Sequence, residues 1–221
     1  MRLLVCSSRN WFKLNGEISK TNIVKFITRD EELTLDSVDQ FKPDYILFPH
    51  WNWIVKKDIH ENYDCVVFHT APLPYGRGGS PIQNLIMEGF QTSPVCAIKM
   101  TDKLDAGPIY SSSNVSLEGN LDSIFLRIND TVNKLIVKII SENPQPVAQV
   151  GEPHIFKRLT QSDNEIAAGL DLEKIYDHIR MVDHLDYHNA FIMYGDIKIE
   201  FGNASHDGNA IEATCRITKL K

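Results

Sequence analysis

The sequence lacks any run of lysine and arginine: 23 basic residues are scattered against 29 acidic ones, for a net charge of -6. A large RNA or DNA surface depends on neutralising phosphates, so this balance excludes nucleic acid as the expected partner. A small anionic ligand held by a few local groups stays open. Cysteine is sparse. Cys6, Cys65, Cys96 and Cys215 lie far apart with no CxxC, which excludes a disulfide scaffold or a zinc ribbon and is read as buried thiols in a reducing compartment. Neither a signal peptide nor a run of about 20 apolar residues is found, so a membrane partner is excluded and a cytoplasmic location is expected. No internal repeat or low-complexity tract points to a solenoid or a disordered tail.

Short apolar runs alternate with helical patterns. Leu3 to Cys6, Asn22 to Ile27, Asp44 to Pro49, Cys65 to Phe68, Val95 to Met100 and Ile109 to Val115 read as strands, the third stopped by its proline. Asp30-Glu31-Glu32 offers a helix start, Ile54 to Glu61 a short helix, and Ser80 with Pro81 the cap and first turn of a helix ending at Gly89. Asp122 to Glu142 is the longest helical pattern, with Ile124, Phe125, Ile128, Val132, Leu135, Ile136 and Ile139 on one face. The fold class is therefore α/β: a Rossmann-like, mostly parallel sheet covered by helices on both faces. Asn143-Pro144-Gln145-Pro146 ends this pattern. Leu170 to Met181 reads as a helix, and Ala190 to Tyr194, Asp196 to Phe201 and Ala210 to Ile217 as antiparallel strands turned at Gly195-Asp196 and Asp207-Gly208-Asn209. The domains expected are residues 1–150, the Rossmann-like domain, and 151–221, a small α+β unit.

Proline and glycine are concentrated just where an apolar run ends in a histidine: Phe68-His69-Thr70-Ala71-Pro72-Leu73-Pro74-Tyr75-Gly76-Arg77-Gly78-Gly79-Ser80-Pro81. A second fragment, Met100 to Ile109, places Asp105 after another apolar run. A histidine at one strand end and an aspartate at another is how an open sheet assembles an acid/base pair in its cleft.

Together the fragments resemble the folate-dependent formyltransferase family, whose motif runs Asn-x-His-x-Ser-Leu-Leu-Pro, then glycine-rich residues, then Leu/Val-Asp-x-Gly-x-Ile. His69, Leu73-Pro74, Arg77-Gly78-Gly79 with Pro81, and Leu104-Asp105-Ala106-Gly107-Pro108-Ile109 match. The short C-terminal unit and acidic charge look most like the sugar N-formyltransferases. The family's asparagine two positions before the histidine is Val67 here, and a valine cannot donate to a developing oxyanion.

The resemblance implies that 10-formyltetrahydrofolate donates a formyl group to the primary amine of a nucleotide-linked amino sugar. His69 would act as general base, with Asp105 holding its tautomer. The missing oxyanion donor would come from Asn52, with Asn84 and Gln83 as other options. Gly79, Gln83, Trp53, Ile54, Leu104 and Asp102 are the expected folate contacts; Trp53 with Trp51 has packing on the sheet edge as the other reading, and Asp102 a solvated loop. Arg77, Tyr187, His188 and Asn189 are the candidates for the acceptor, with an ion-pair role open for Arg77. His184 and His188 near Asp186 invite a metal reading, but a loop of surface polar groups fits better, and no metal is expected. Other acceptors (tRNA-bound methionine, glycinamide ribonucleotide), hydrolysis of the donor, and a non-catalytic folate- or nucleotide-sugar-binding module remain as alternatives. The C-terminal strands leave a homodimer open.

Overall fold

The computed structural model describes residues 1–220. Strand β1 (Arg2–Ser7) leads to α1 (Gly16–Thr21), β2 (Ile23–Ile27), α2 (Leu35–Phe41), β3 (Tyr45–His50), α3 (Lys57–His60), β4 (Cys65–Thr70), β5 (Tyr75–Gly78), α4 (Pro81–Met87), β6 (Thr92–Lys99) and β7 (Ile109–Ser116). The long helix α5 (Leu121–Glu142) follows, then β8 (His154–Phe156), α6 (Leu172–Arg180), β9 (Ala190–Tyr194), β10 (Ile197–His206) and β11 (Ile211–Lys219). Among the described residues no helix is long and apolar enough to cross a membrane.

By contact the chain forms two compact units, and neither is a single stretch. The first comprises Met1–Gly78, Ser93–Val115 and Phe125–Ile155; the second comprises Gly79–Thr92, Ser116–Ile124 and the chain from Phe156 onward. The boundary expected near residue 150 follows chain order. Contact instead draws α4 into the second unit, where it packs on α6.

The first unit carries a six-stranded sheet in the order β2-β1-β3-β4-β6-β7. β1 pairs parallel with β2 and β3, β3 pairs parallel with β4, and β6 returns antiparallel to β4. The mostly parallel sheet thus carries an antiparallel member, because β6 reaches β4 without a crossover of the usual kind. Strands buried on both faces explain the continuous apolar runs: Leu3, Leu4, Val5 and Cys6 are each fully buried, as are Ile46 and Leu47. Leu4, Cys6, Ile46, Phe48, Ile59 and Cys65 share one core cluster with Val38 and Leu33. All seven positions proposed for the inner face of α5 are buried, and Trp11 stacks flat on one of them, Phe125, at 5.1 Å.

Several local expectations change. Pro49 does not stop β3. The β1–β3 register slips by one residue between Val5 and Ser7, and a proline without an N–H is tolerated at such an irregularity. Asp30–Glu32 forms only a 3-10 turn; the helix proper begins at Leu35 behind Thr34, whose side chain completes a capping box with Ser37. The helix expected over 54–61 contracts to four residues. Ser80 does not cap α4: its φ is 51°, and its Oγ accepts from the Leu159 amide at 3.1 Å instead. The segment Tyr75–Gly78, read as loop, is a short strand paired with β8. Three of the four thiols are buried as expected, but Cys215 is exposed on β11.

The second unit is built on an antiparallel sheet in the order β11-β10-β9, with α6 against β10 and β9. Gly195 and Gly208 turn it, both at positive φ. Asp171 caps α6 by accepting from the Lys174 amide. The helix ends on buried Arg180, whose Nε donates to Asp177 Oδ1 at 2.6 Å and whose Nη1 donates to the carbonyls of Leu117 and Gly119 at 2.5 and 3.0 Å. Such multiple pairing is what a buried guanidinium requires.

Candidate active site

In the first unit β4 ends in His69, and the loop between β6 and β7 brings Asp105 beside it. Both side chains are more than nine-tenths buried, and His69 Nδ1 lies 3.6 Å from Asp105 Oδ2. That separation is past hydrogen-bond reach. The contact that fixes the ring is on its other side: His69 Nε2 donates to the Gly76 carbonyl at 2.7 Å. A carbonyl only accepts, so Nε2 carries a proton, and in the neutral ring the open lone pair is on Nδ1, facing the carboxylate. The tautomer is therefore set by the backbone rather than by Asp105.

Strand β5 frames the pair from end to end. The Gly76 carbonyl holds the histidine, and two residues later the Gly78 amide donates to Asp105 Oδ2 at 2.9 Å. Gly76 and Gly78 sit at φ 83° and 101°, a conformation that side chains rarely adopt. The glycine-rich sequence is thus needed to aim one carbonyl and one amide at the two side chains. Between them, Arg77 turns the other way. Its Nε and Nη2 donate to Gln149 Oε1 at 3.0 and 2.7 Å, and Gln149 Nε2 donates to the carbonyls of Asp105 and Gly107 at 2.8 Å each. Sequence reasoning missed Gln149. It stands in an irregular segment after α5, with no local pattern to mark it.

Val67 takes part in the β4 ladder opposite Phe48 and Ile98 and packs against the apolar core cluster, as do Trp51 and Met100. The position where the resemblance expects an asparagine is therefore apolar in packing as well as in chemistry. Asn52 is exposed in the loop after β3. Next to it, the Trp51 indole N–H is buried without a hydrogen-bond partner. Trp53 lies edge-on to Trp51 at 4.9 Å, while Ile54 and Leu104 are largely exposed.

A cleft of about 400 Å³ opens in the same unit at the amino end of β4, lined by His60, Tyr63, Asp64, Lys99, Met100 and Asp102 among others. Asp102 faces Lys57 and His60 there, each at 3.6 Å, and with its side chain 60% exposed it is a solvated loop carboxylate. The loop 100–108 lines this cleft at its start and reaches His69 through Asp105. Burial pushes the nearby Cys65 thiol up to about 12 and the Tyr110 phenol up to about 12, keeping both neutral near pH 7.

The remaining candidates belong to the second unit. Gly79 has no room for a side chain, because a Cβ there would meet Arg158 at 2.5 Å. Gln83 is buried on α4 and its Nε2 lacks a partner, whereas Asn84 binds the carbonyls of Gly79, Ser80 and Lys157 and so braces the start of α4. Tyr187 packs edge-on against His184, the His188 carbonyl accepts from Asn164 at 2.6 Å, and Asn189 lies close against Gly202. His184 faces Asp122 at 3.5 Å and Asp186 at 4.0 Å, yet no group of three metal-ligating side chains is assembled among the described residues.

Comparison with known proteins bears on this site. Residues 17–142 match the formyl transferase family, and residues 161–218 match the methionyl-tRNA formyltransferase C-terminal domain. A solved structure of a methionyl-tRNA formyltransferase from Clostridium thermocellum is 39% identical, with 99% of each chain covered and a TM-score of 0.93. A sugar N-formyltransferase from Shewanella sp. superimposes with a TM-score of 0.65 over 89% of this chain and 94% of that one, at 15% identity, which speaks for fold alone. The methionyl-tRNA formyltransferase of Campylobacter lari is 29% identical over 140 residues, or 63% of this chain and 46% of that protein. The chain spans about half the length of the curated relatives it matches.

Proposed function

Because the chain belongs to the formyl transferase family, we propose that it moves a formyl group from 10-formyltetrahydrofolate to the primary amine of a nucleotide-linked amino sugar. The reaction type rests on one observation above the others. A buried histidine, its tautomer set by a carbonyl, turns its open Nδ1 toward a carboxylate at the carboxyl end of a parallel strand. The acceptor amine forms a bond to the formyl carbon, the carbonyl oxygen takes up the negative charge, and His69 Nδ1 receives a proton from the amine nitrogen. Collapse breaks the bond to N10, and the imidazolium returns the proton to the leaving tetrahydrofolate. Asp105 Oδ2 stays beside the ring, 3.6 Å from Nδ1. Val67 supplies no donor to the oxygen; Asn52, or the unpaired Trp51 indole N–H, takes that part.

The exposed apolar Trp53, Ile54 and Leu104 offer contact to the donor. A small acceptor is favoured over tRNA by charge. Residues 156–221 contain eight Lys and Arg against eleven Asp and Glu, a poor surface for a phosphate backbone. The soluble cytoplasmic pool, where folates and nucleotide sugars occur, is the proposed location. Transfer to methionyl-tRNA is the second reading, favoured by the match of residues 161–218 and by the Clostridium thermocellum relative.

The test follows consumption of 10-formyltetrahydrofolate with nucleoside-diphosphate amino sugars, with methionyl-tRNA, and with no acceptor. Turnover with an amino sugar alone is expected. Turnover only with methionyl-tRNA replaces the acceptor, turnover without any acceptor makes the protein a hydrolase, and no turnover at all leaves a binding module.

A further inference from the structure

We propose that Gln149 is the positioning residue of this site, holding Asp105 in the conformation that presents its carboxylate to His69. The inference rests on the reading of His69 and Asp105 as the reacting pair. Asp105 occupies the left-handed region, at φ 50°. For a residue with a side chain this is a disfavoured backbone that persists only where its surroundings hold it. The hold is visible. The two hydrogens of one Gln149 amide nitrogen go to the carbonyls of Asp105 and Gly107, on either side of Ala106, at 2.8 Å each. They bracket the turn and leave its geometry little freedom.

The other end of the same amide is equally committed. Gln149 Oε1 accepts both Arg77 Nε and Nη2. Carbonyls only accept and a guanidinium only donates, so the amide can be oriented in one way. Arg77 itself lies between Gly76, which binds His69, and Gly78, which binds the Asp105 carboxylate. Gln149 therefore ties the backbone of the aspartate to the strand that holds both side chains. Arg77, in this arrangement, acts through Gln149 and not on the acceptor.

Glutamate at 149 separates the two ends of the link. It is of the same size and keeps the bidentate pair with Arg77 as an ion pair, but it sets an oxygen against two carbonyl oxygens and loses both donors. The experiment compares Gln149→Glu, the neutral isostere Gln149→Met and Asp105→Asn with the parent protein in the full chain. The first readout is the Gly78 amide proton by NMR, which reports its bond to the Asp105 carboxylate. The second is 10-formyltetrahydrofolate consumption with a uridine- or thymidine-diphosphate-linked amino hexose. In Gln149→Glu the Gly78 amide proton is expected to move upfield toward its position in Asp105→Asn. Its kcat is expected to fall tenfold or more, with the KM for the folate unchanged within about twofold, the signature of a lost transition-state contact. Gln149→Met is expected to do the same, so a failure of one variant to fold still leaves the other to decide.

A Gly78 amide that stays at its parent position in the folded variants overturns the proposal, whatever happens to turnover. So does a kcat equal to that of the parent. If the parent protein turns over no acceptor, the reading of the pair as formyl-transferring groups fails, and the Gly78 amide still decides whether Gln149 positions Asp105.

Discussion

The two units of this protein are held together by different means. In the first, β1 and β3 are sealed on both faces, and the polar groups that matter are few and tied to backbone atoms. In the second, β11 is exposed along almost its whole length, and order comes from turns, caps and one buried guanidinium. The difference teaches where a buried histidine–carboxylate pair can be kept. A buried histidine and carboxylate need fixed partners and exclusion of water, and only a sheet buried on both faces provides both. An exposed strand offers neither, but it tolerates change.

Predictions that probe this contrast run from the largest effect to the smallest. Substituting His69→Asn should lower turnover by about 10²–10⁴-fold while folate binding survives, as loss of a general base does; equilibrium binding of the folate beside single-turnover rates checks it, and unchanged turnover would remove the histidine from the mechanism. In the core of the same unit, Phe48 is 1% exposed, and Phe48→Ala should cost about 3–5 kcal/mol in urea unfolding. Arg180→Leu is the matching test of the second unit. It strips the partner from a buried Asp177, and a loss of about 3 kcal/mol is expected; a loss below 1 kcal/mol would show that this unit does not depend on its guanidinium.

Thiol chemistry separates the units in another way. Burial raises Cys65 to about 12 and Cys96 to about 11 from an ordinary 9.0. In the unfolded chain both ionise near that ordinary value, so the stability they lend is present below about pH 9 and drains away as pH climbs toward 11 and 12. Native protein at pH 8 should therefore release one equivalent of thiol to a disulfide reagent, from exposed Cys215, and four after denaturation. The smallest effect belongs to the exposed face of β11. Ile217 is 65% exposed, and Ile217→Thr should leave stability within about 0.5 kcal/mol.

Much of the framework was legible in the chain. The strands of the six- and three-stranded sheets and α5 followed from apolar periodicity, because burying one face or two leaves a pattern that survives in one dimension, whereas the short pair β5 and β8 did not. The hairpin turns at Gly195 and Gly208 followed from turn chemistry. The failures share a cause. Ser80 has the composition of a cap and Pro49 that of a strand end, but Ser80 spends its hydroxyl on Leu159 and Pro49 falls at a register slip. Long-range partners overrode local preference in both cases. Gly76, Gly78 and Gln149 escaped a specific reading for the same reason, since a carbonyl or amide has no signature until something is placed against it.

By itself the sequence determined the class of the sheet, the length of α5, the strand-end histidine and the carboxylate meant to meet it. These depend on residue type and spacing, which a chain carries with it. Only the tertiary structure decided that His69 is held by Gly76 rather than by Asp105, and that Asp105 is held by Gly78 and Gln149. Only the fold likewise decided that α4 packs with α6 in the second unit. Hydrogen bonds between residues 7, 27 and 44 positions apart depend on where the fold brings the backbone, and directionality within about 3 Å has no counterpart in linear order.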